Sequence, residues 1–218
     1  VPLMSSHDAR VDTVQGRGRS ANTWILGDDE EVIVIDPGTD GPAVLDVVGD
    51  REVVAVVCTH GHAGHCRAAF DVAGRDEAAV ALHPGDRHAW REVHDEAPDI
   101  DMEDGGKFAV GDVTLEVMHA PGHSRGSVCL YCEELEVVFS GDVVTEEGPV
   151  ARDDGFPNWG RQLDAIGSHI LTLPPQTRIL PGHGEEFTVA MAEKRFDSWV
   201  SAGQERPAPS GDAEADSE

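Results

Sequence analysis

The stretch Val53-Val54-Ala55-Val56-Val57-Cys58-Thr59-His60-Gly61-His62-Ala63-Gly64-His65 joins two signals that decide the fold. Val53–Cys58 is an unbroken, β-branched apolar run bounded by polar residues, the pattern of a strand buried on both faces. It opens directly into a turn that carries three imidazoles. His60 and His62 are two residues apart, so in extended chain they project to the same side. His65 begins a helix expected to run to Gly74. A buried strand that ends in such a turn holds several side chains in place at little further entropic cost.

Three later phrases repeat the arrangement. Pro121-Gly122-His123-Ser124 follows a predicted strand at Val113–Met118. Ser140-Gly141-Asp142 follows one at Glu136–Phe139, and Pro181-Gly182-His183-Gly184 follows one at Arg178–Leu180. Glycine beside the polar residue permits the tight turn that aims a side chain into a shared cleft. The histidines at 60, 62, 65, 123 and 183, with Asp142, form a donor set suited to zinc or a similar divalent ion. A lone histidine at a strand end is ordinarily a hydrogen-bonded surface residue, but four such phrases in one chain call for a common cause.

The rest of the chain supplies the frame. Glu31–Ile35 is a short strand that ends in the turn signal Asp36-Pro37-Gly38, and Gly41–Val48 reads as a helix. Ala78–Leu82 is another buried strand. Lys107–Val110, Val113–Met118, Ser127–Cys132 and Glu136–Phe139 read as hairpin strands, with Gly111-Asp112 as one turn. Residues 145–160 form a long loop. Leu163, Ile166 and Ile170 recur at helical spacing, as do Val189, Ala192, Phe196 and Trp199. Strands and helices in both halves suggest helices covering two packed sheets. We expect a flexible N-terminus over 1–10, one domain over 11–202, and a disordered acidic tail over 203–218.

Composition narrows the partners. The 218 residues carry 16 Lys+Arg against 42 Asp+Glu, a formal net charge of −26. So acidic a chain lacks the basic footprint of a nucleic-acid binder and disfavours anionic membranes. No apolar run approaches the roughly 18 residues of a membrane span, and no secretory signal is visible, so a cytoplasmic location is expected. The four cysteines do not make a disulfide framework. Cys129 and Cys132 form a C-x-x-C on a predicted strand, where positions i and i+3 point apart. Cys66 follows His65 on a helix, rotated by about 100° from it, and reads as a packed thiol.

His-x-His-x-x-His, Pro-Gly-His-Ser, Ser-Gly-Asp and Pro-Gly-His-Gly, in this order, resemble the metallo-β-lactamase superfamily over roughly residues 11–200, and most of all its small glyoxalase II-like branch. The resemblance implies an α/β fold, a four-layer αββα sandwich with the metal cleft at one edge of the sheets. It implies that His60, His62 and His123 bind a first metal, that Asp142 bridges two metals, and that His65 and His183 serve the second. Asp142 and His183 would also act in catalysis, and Asp36 would support the metal loop from behind. The family's usual motif is His-x-His-x-Asp-His, and this chain has Gly64 where that aspartate stands. We therefore expect one tightly bound zinc with a second site weak or absent, and iron as the alternative metal. The implied activity is hydrolysis of a small thioester or other acyl-thiol conjugate, with a small-molecule thiol conjugate as the partner. Arg152, Phe156 and Trp159 in the long loop are candidate substrate contacts. Two competing readings are a mononuclear iron oxygenase using His60, His123 and Asp142, and a divergent member that has lost hydrolysis.

Overall fold

The computed structural model describes residues 8–150 and 158–204. Among the described residues, twelve strands form two six-stranded sheets. The first holds β1 (Arg10–Val14), β2 (Thr23–Gly27), β3 (Glu31–Ile35), β4 (Glu52–Val57), β5 (Ala79–Leu82) and β6 (Ile100–Asp101), side by side in chain order. β1, β2 and β3 are antiparallel neighbours, whereas β3 to β6 run parallel. The second holds β7 (Lys107–Val110), β8 (Val113–His119), β9 (Val128–Cys132), β10 (Val137–Gly141), β11 (Arg178–Pro181) and β12 (Phe187–Thr188). Only β10 and β11 are parallel there, because the helical crossover between them returns the chain in the same direction.

Period-2 alternation sorts the side chains into three layers of core. Leu26, Ile33, Ile35, Val57, Leu115, Leu130, Phe139 and Leu180 meet between the sheets. Ile25, Val32, Val34, Val56 and Val80 face the other way and pack under α1 (Gly41–Val48), α2 (Ala63–Cys66) and α3 (Ala69–Ala73). Cys129, Val138 and Ile179 pack on the opposite outer face. Their cover is α5 (Trp159–Ala165), its π-helical continuation Ile166–Ile170, and α6 (Val189–Gln204). Between β5 and β6 lie the 3₁₀ turn Pro84–Asp86 and α4 (Arg87–Arg91). The layers are helix, sheet, sheet, helix, the expected αββα sandwich. Cys129 lies in the outer core and Cys132 in the inner one, so the C-x-x-C thiols do point apart.

The expected single helix from His65 to Gly74 is instead broken in two. Gly38 is the cause: its N–H donates to the His65 carbonyl (2.8 Å), and its own carbonyl accepts the Ala68 N–H (3.0 Å). The Asp36-Pro37-Gly38 turn thus inserts between α2 and α3 and takes bonds that would have continued the helix. The strands at Arg10–Val14 and Thr23–Gly27 went unread in the sequence. α6 extends to Gln204, past the expected domain end at 202.

Candidate metal centre

All four phrases leave the sheets at one edge. His60 and His62 follow β4, His123 follows β8, Asp142 follows β10 and His183 follows β11. The fold brings all six predicted donors together. The donor atoms of His60, His62 and His123 lie within 4.8 Å of one another, and so do those of His60, His65 and Asp142. His62 Nδ1 and His123 Nε2 are 3.1 Å apart. Asp142 Oδ2 lies centrally, 3.3 Å from His65 Nε2 and 3.6 Å from both His123 Nε2 and His183 Nε2. His60, His65, His123 and Asp142 are buried, while the His183 side chain is 41% exposed and marks the open side.

Hydrogen bonds behind the ligands fix which nitrogen faces the cleft. Asp36 stands behind the His60–His65 turn. Its carboxylate accepts the Thr59 N–H (2.7 Å), the Thr59 hydroxyl (2.7 Å) and His65 Nδ1–H (2.8 Å). Because the Thr59 hydroxyl proton is spent on Asp36, its oxygen accepts His60 Nδ1–H at 3.1 Å. His60 therefore turns a proton-free Nε2 toward the centre. His123 Nδ1–H donates to the Val150 carbonyl (2.8 Å), which leaves its Nε2 for the same task. Such outer hydrogen bonds are what orient imidazole ligands and set their tautomer. Asp36 adopts φ +50, a left-handed backbone that aspartate tolerates better than most residues, and its bonds to the metal loop hold it there.

The electrostatics favour a cation. Burial alone would raise the Asp142 carboxyl. The imidazoles of His65, His123 and His183 outweigh burial and hold it well below the usual carboxylate range. Burial likewise pulls His65 down, but Asp142 and Asp36 on either side prevail and lift it to about 10. Asp142 Oδ1 is buried and makes no hydrogen bond. An ionised, buried carboxylate with one oxygen lacking any hydrogen-bond donor and the other set 3.3–3.6 Å from imidazole nitrogens fits a divalent ion. The donor set of His60, His62, His123 and Asp142 suits one such ion.

Gly64 is not a vacancy. A Cβ at that position would lie 2.3 Å from the Arg19 carbonyl oxygen. The Ala21 N–H donates to the Gly64 carbonyl (2.9 Å), so backbone from residues 19–21 covers the place where an aspartate side chain would begin. The same segment reaches the His183 loop: Asn22 N–H donates to the Gly182 carbonyl (2.7 Å). The Asn22 side-chain amide donates to Pro181 and Gly184 carbonyls (3.1 and 3.0 Å). A second ion beside Gly64 would find only His65, His183 and a share of Asp142, and His65 there is already held between two carboxylates.

Sequence reasoning missed three supports. Asp86 is buried; it accepts the Gly61 N–H (2.9 Å), the Ser124 hydroxyl (2.7 Å) and the Gly126 N–H (2.6 Å), tying the His60–His62 turn to the His123 turn. Gln162 donates to the carbonyls of Asp142 (3.1 Å), Val143 (2.8 Å) and Val150 (3.3 Å), holding Asp142 and the partner of His123 together. Asn22 is the third. Arg152 and Phe156 lie outside the described residues. Trp159 begins α5 and donates its indole N–H to the Trp199 carbonyl (3.2 Å) in α6. Cys66 donates its thiol to the Gly61 carbonyl, and burial pushes the thiol up to about 12, so it packs and does not ligate.

An αββα sandwich with five histidines and one aspartate at one sheet edge defines a metal-dependent enzyme class. The profile of the metallo-β-lactamase superfamily matches residues 16–183, and the chain belongs to that superfamily. It is 30% identical to the probable metallo-hydrolase YqgX of Bacillus subtilis, over 78% of this chain and 87% of that one. It is 29% identical to the human acyl-coenzyme A thioesterase MBLAC2, over 84% and 80%. Among solved structures, the BLEG-1 B3 metallo-β-lactamase superposes with TM-score 0.79 at 26% identity, over 88% of this chain and all of that one. TTHA1623 in a di-iron-bound form gives TM-score 0.71 at 28% identity, over 84% and 98%. No described helix is long and apolar enough to cross a membrane.

Proposed function

We propose that this chain hydrolyses a small thioester or related acyl-thiol conjugate, using one tightly held divalent metal, zinc in the first instance. The observation that carries the reading is the unequal pair of positions. His60, His62, His123 and Asp142 converge, with the tautomers of His60 and His123 set by Thr59 and Val150, while the second position has backbone at Gly64 and a doubly engaged His65. The likeness to a human acyl-coenzyme A thioesterase supports thioesters as the substrate class.

When bound, the ion supplies a water acidified toward neutrality and polarises the substrate carbonyl. The residues do the rest. Asp142, kept ionised by the imidazoles around it, accepts a hydrogen bond from the attacking water and orients it. His183, 41% exposed and 3.6 Å from Asp142, lies at the open side of the centre and is the residue placed to exchange a proton with solvent. The leaving group needs little protonation, because a thiol's pKa near 8.5 already makes thiolate a good leaving group. One metal therefore suffices for this bond.

Elemental analysis combined with turnover of S-acyl thiols tests the reading. One zinc per chain is expected, with thioester cleavage that disappears in His60→Ala. A zinc-loaded protein that cleaves no thioester would overturn it, and would favour a divergent member without hydrolysis. The geometry also contains two imidazoles and one carboxylate, His60, His123 and Asp142, the facial set of a non-haem iron centre. Oxygen uptake by the iron-loaded protein with a thiol or persulfide would favour that second reading, and its absence removes it.

A further inference from the structure

A groove of about 750 Å³ opens beside the metal centre. Its inner end is formed by His62 and His123, and it runs outward between α2 and the Pro84–Arg91 segment. Arg67, at the end of α2, and Arg125, in the turn after His123, both line it and are exposed. They come from opposite sheets' loops, so the fold places two guanidinium groups along one groove. His88 and Glu92 lie further out, 3.9 Å apart. Asp86 also lines the groove, but its oxygens are taken by Gly61, Ser124 and Gly126.

The charge economy of the chain makes this placement informative. Arg10, Arg51, Arg75, Arg87, Arg178 and Arg195 each sit against a carboxylate. Arg17, Arg19, Arg67, Arg91 and Arg161 sit against no carboxylate of a described residue, and of these five it is Arg67 that lines the groove, in a chain of net charge −26. A guanidinium offers several N–H donors in a planar fork matched to carboxylate or phosphate. The general acidic field repels anions, so an anionic group approaching the metal needs a local cationic guide. Arg152, a candidate substrate contact, lies outside the described residues; the groove offers Arg67 and Arg125.

We propose that this groove binds the anionic arm of a thiol carrier, with Arg67 and Arg125 as specificity-determining residues. The acyl-sulfur end then lies at His62 and His123, and the phosphate or carboxylate end lies at the arginines. The proposal rests on the thioester reading and narrows its substrates to conjugates of an anionic thiol.

Uncleavable thioethers separate this proposal from hydrolysis itself. S-methyl-coenzyme A carries phosphates, S-methylglutathione carries carboxylates, and S-methyl-N-acetylcysteamine is neutral. Each is titrated calorimetrically into the zinc-loaded protein at low and high salt. At least one anionic thioether should bind about 10-fold more tightly than the neutral one, the size of one charged hydrogen-bond contact. That preference should weaken with salt and be lost in Arg67→Glu at unchanged zinc content. Whichever anionic probe binds identifies phosphate or carboxylate as the recognised group. Arg125→Ala should lower the affinity of the same probe, and in turnover both variants should raise KM with kcat kept. Equal binding of neutral and anionic probes, or unchanged binding in Arg67→Glu, overturns the proposal. Thioester turnover without anionic preference removes this inference and leaves the hydrolase reading. Anionic binding without any turnover does the reverse.

Discussion

Restoring the family's aspartate at position 64 should damage this protein and add no second metal. A Cβ on Gly64 would stand 2.3 Å from the Arg19 carbonyl oxygen, where ordinary contact begins at 3.4 Å, so one side must retreat by about 1 Å. Residues 19–21 cannot retreat alone. Ala21 bonds to the Gly64 carbonyl at 2.9 Å, and Asn22 bonds to Gly182 at 2.7 Å. Moving them breaks the first bond and disturbs the His183 loop through the second. Overpacking costs about 1–3 kcal/mol, and a buried amide left unpaired costs about 1–3 kcal/mol more. Gly64→Ala should therefore destabilise the fold by roughly 2–6 kcal/mol. For a domain of this size that lowers Tm by about 4–24 °C. Gly64→Asp should do at least as much, with zinc stoichiometry still at one or below. Thermal unfolding and elemental analysis of the two variants provide the check. A Gly64→Asp protein with wild-type Tm, two equivalents of zinc and higher turnover would refute the argument. It would show that residues 19–21 yield freely and that position 64 is merely unfilled.

Other substitutions test the supports. Asp86→Asn turns one amide N–H against a backbone donor. It should cost about 2–3 kcal/mol of stability and about 10–100-fold in zinc affinity; chelator competition reads the second effect, and unchanged affinity would deny Asp86 its link to the ligand turns. In the metal-free protein, His65 is raised from 6.5 to about 10 by Asp142 and Asp36 against the opposing pull of burial. Its contribution is then full below pH 6.5 and fades as pH rises toward 10. The stability gap between wild type and His65→Gln, measured by urea unfolding without metal, should shrink across that window; a constant gap contradicts the ion pair. Burial pushes the Cys129 thiol up to about 12 and that of Cys132 to about 11. Native protein should therefore react with a thiol reagent only at its unfolding rate, and fast labelling would show these strands to be open.

The candidate donors that the fold brings together could be read locally and their supports could not, for a physical reason. A metal ligand at the end of a buried strand advertises itself locally: an apolar run, a glycine, then histidine or aspartate. His62, His65, His123, Asp142 and His183 each follow a glycine, and His60 follows the apolar run itself through Thr59. Asp86, by contrast, sits in Leu82-His83-Pro84-Gly85-Asp86, where the chain reads as an ordinary turn. Its partners lie 25, 38 and 40 residues away. Asn22 reaches 159 and 162 residues to the His183 loop. The significance of such residues exists only once the loops have met, so a local pattern cannot reveal it. The broken helix after His65 has the same origin, since Gly38 cuts it from outside.

These supports also explain why the chain keeps its fold and its ligands without the usual aspartate. In the metallo-β-lactamase pattern that residue would add a carboxylate between the ligand turns. Here the space is taken by neutral backbone that bonds to Gly64 on one side and, through Asn22, to the His183 loop on the other. Asp86 and Gln162 join the remaining turns. The exchange removes one negative charge from the second metal position and replaces it with mechanical connection. His65, gripped by Asp36 and Asp142, then has more to gain from a proton than from a distant, underliganded ion. A metal entering that position must displace the proton while finding fewer donors than at the first position, so its affinity should fall steeply as pH falls. The first position carries no such penalty, because His60 and His123 already present proton-free nitrogens. Titrating zinc at pH 6 and pH 9 separates the two. One equivalent should bind at both pH values, and any second equivalent should appear only at the higher one. Two equivalents held equally at pH 6 would contradict the imidazolium at His65 and with it the unequal sites.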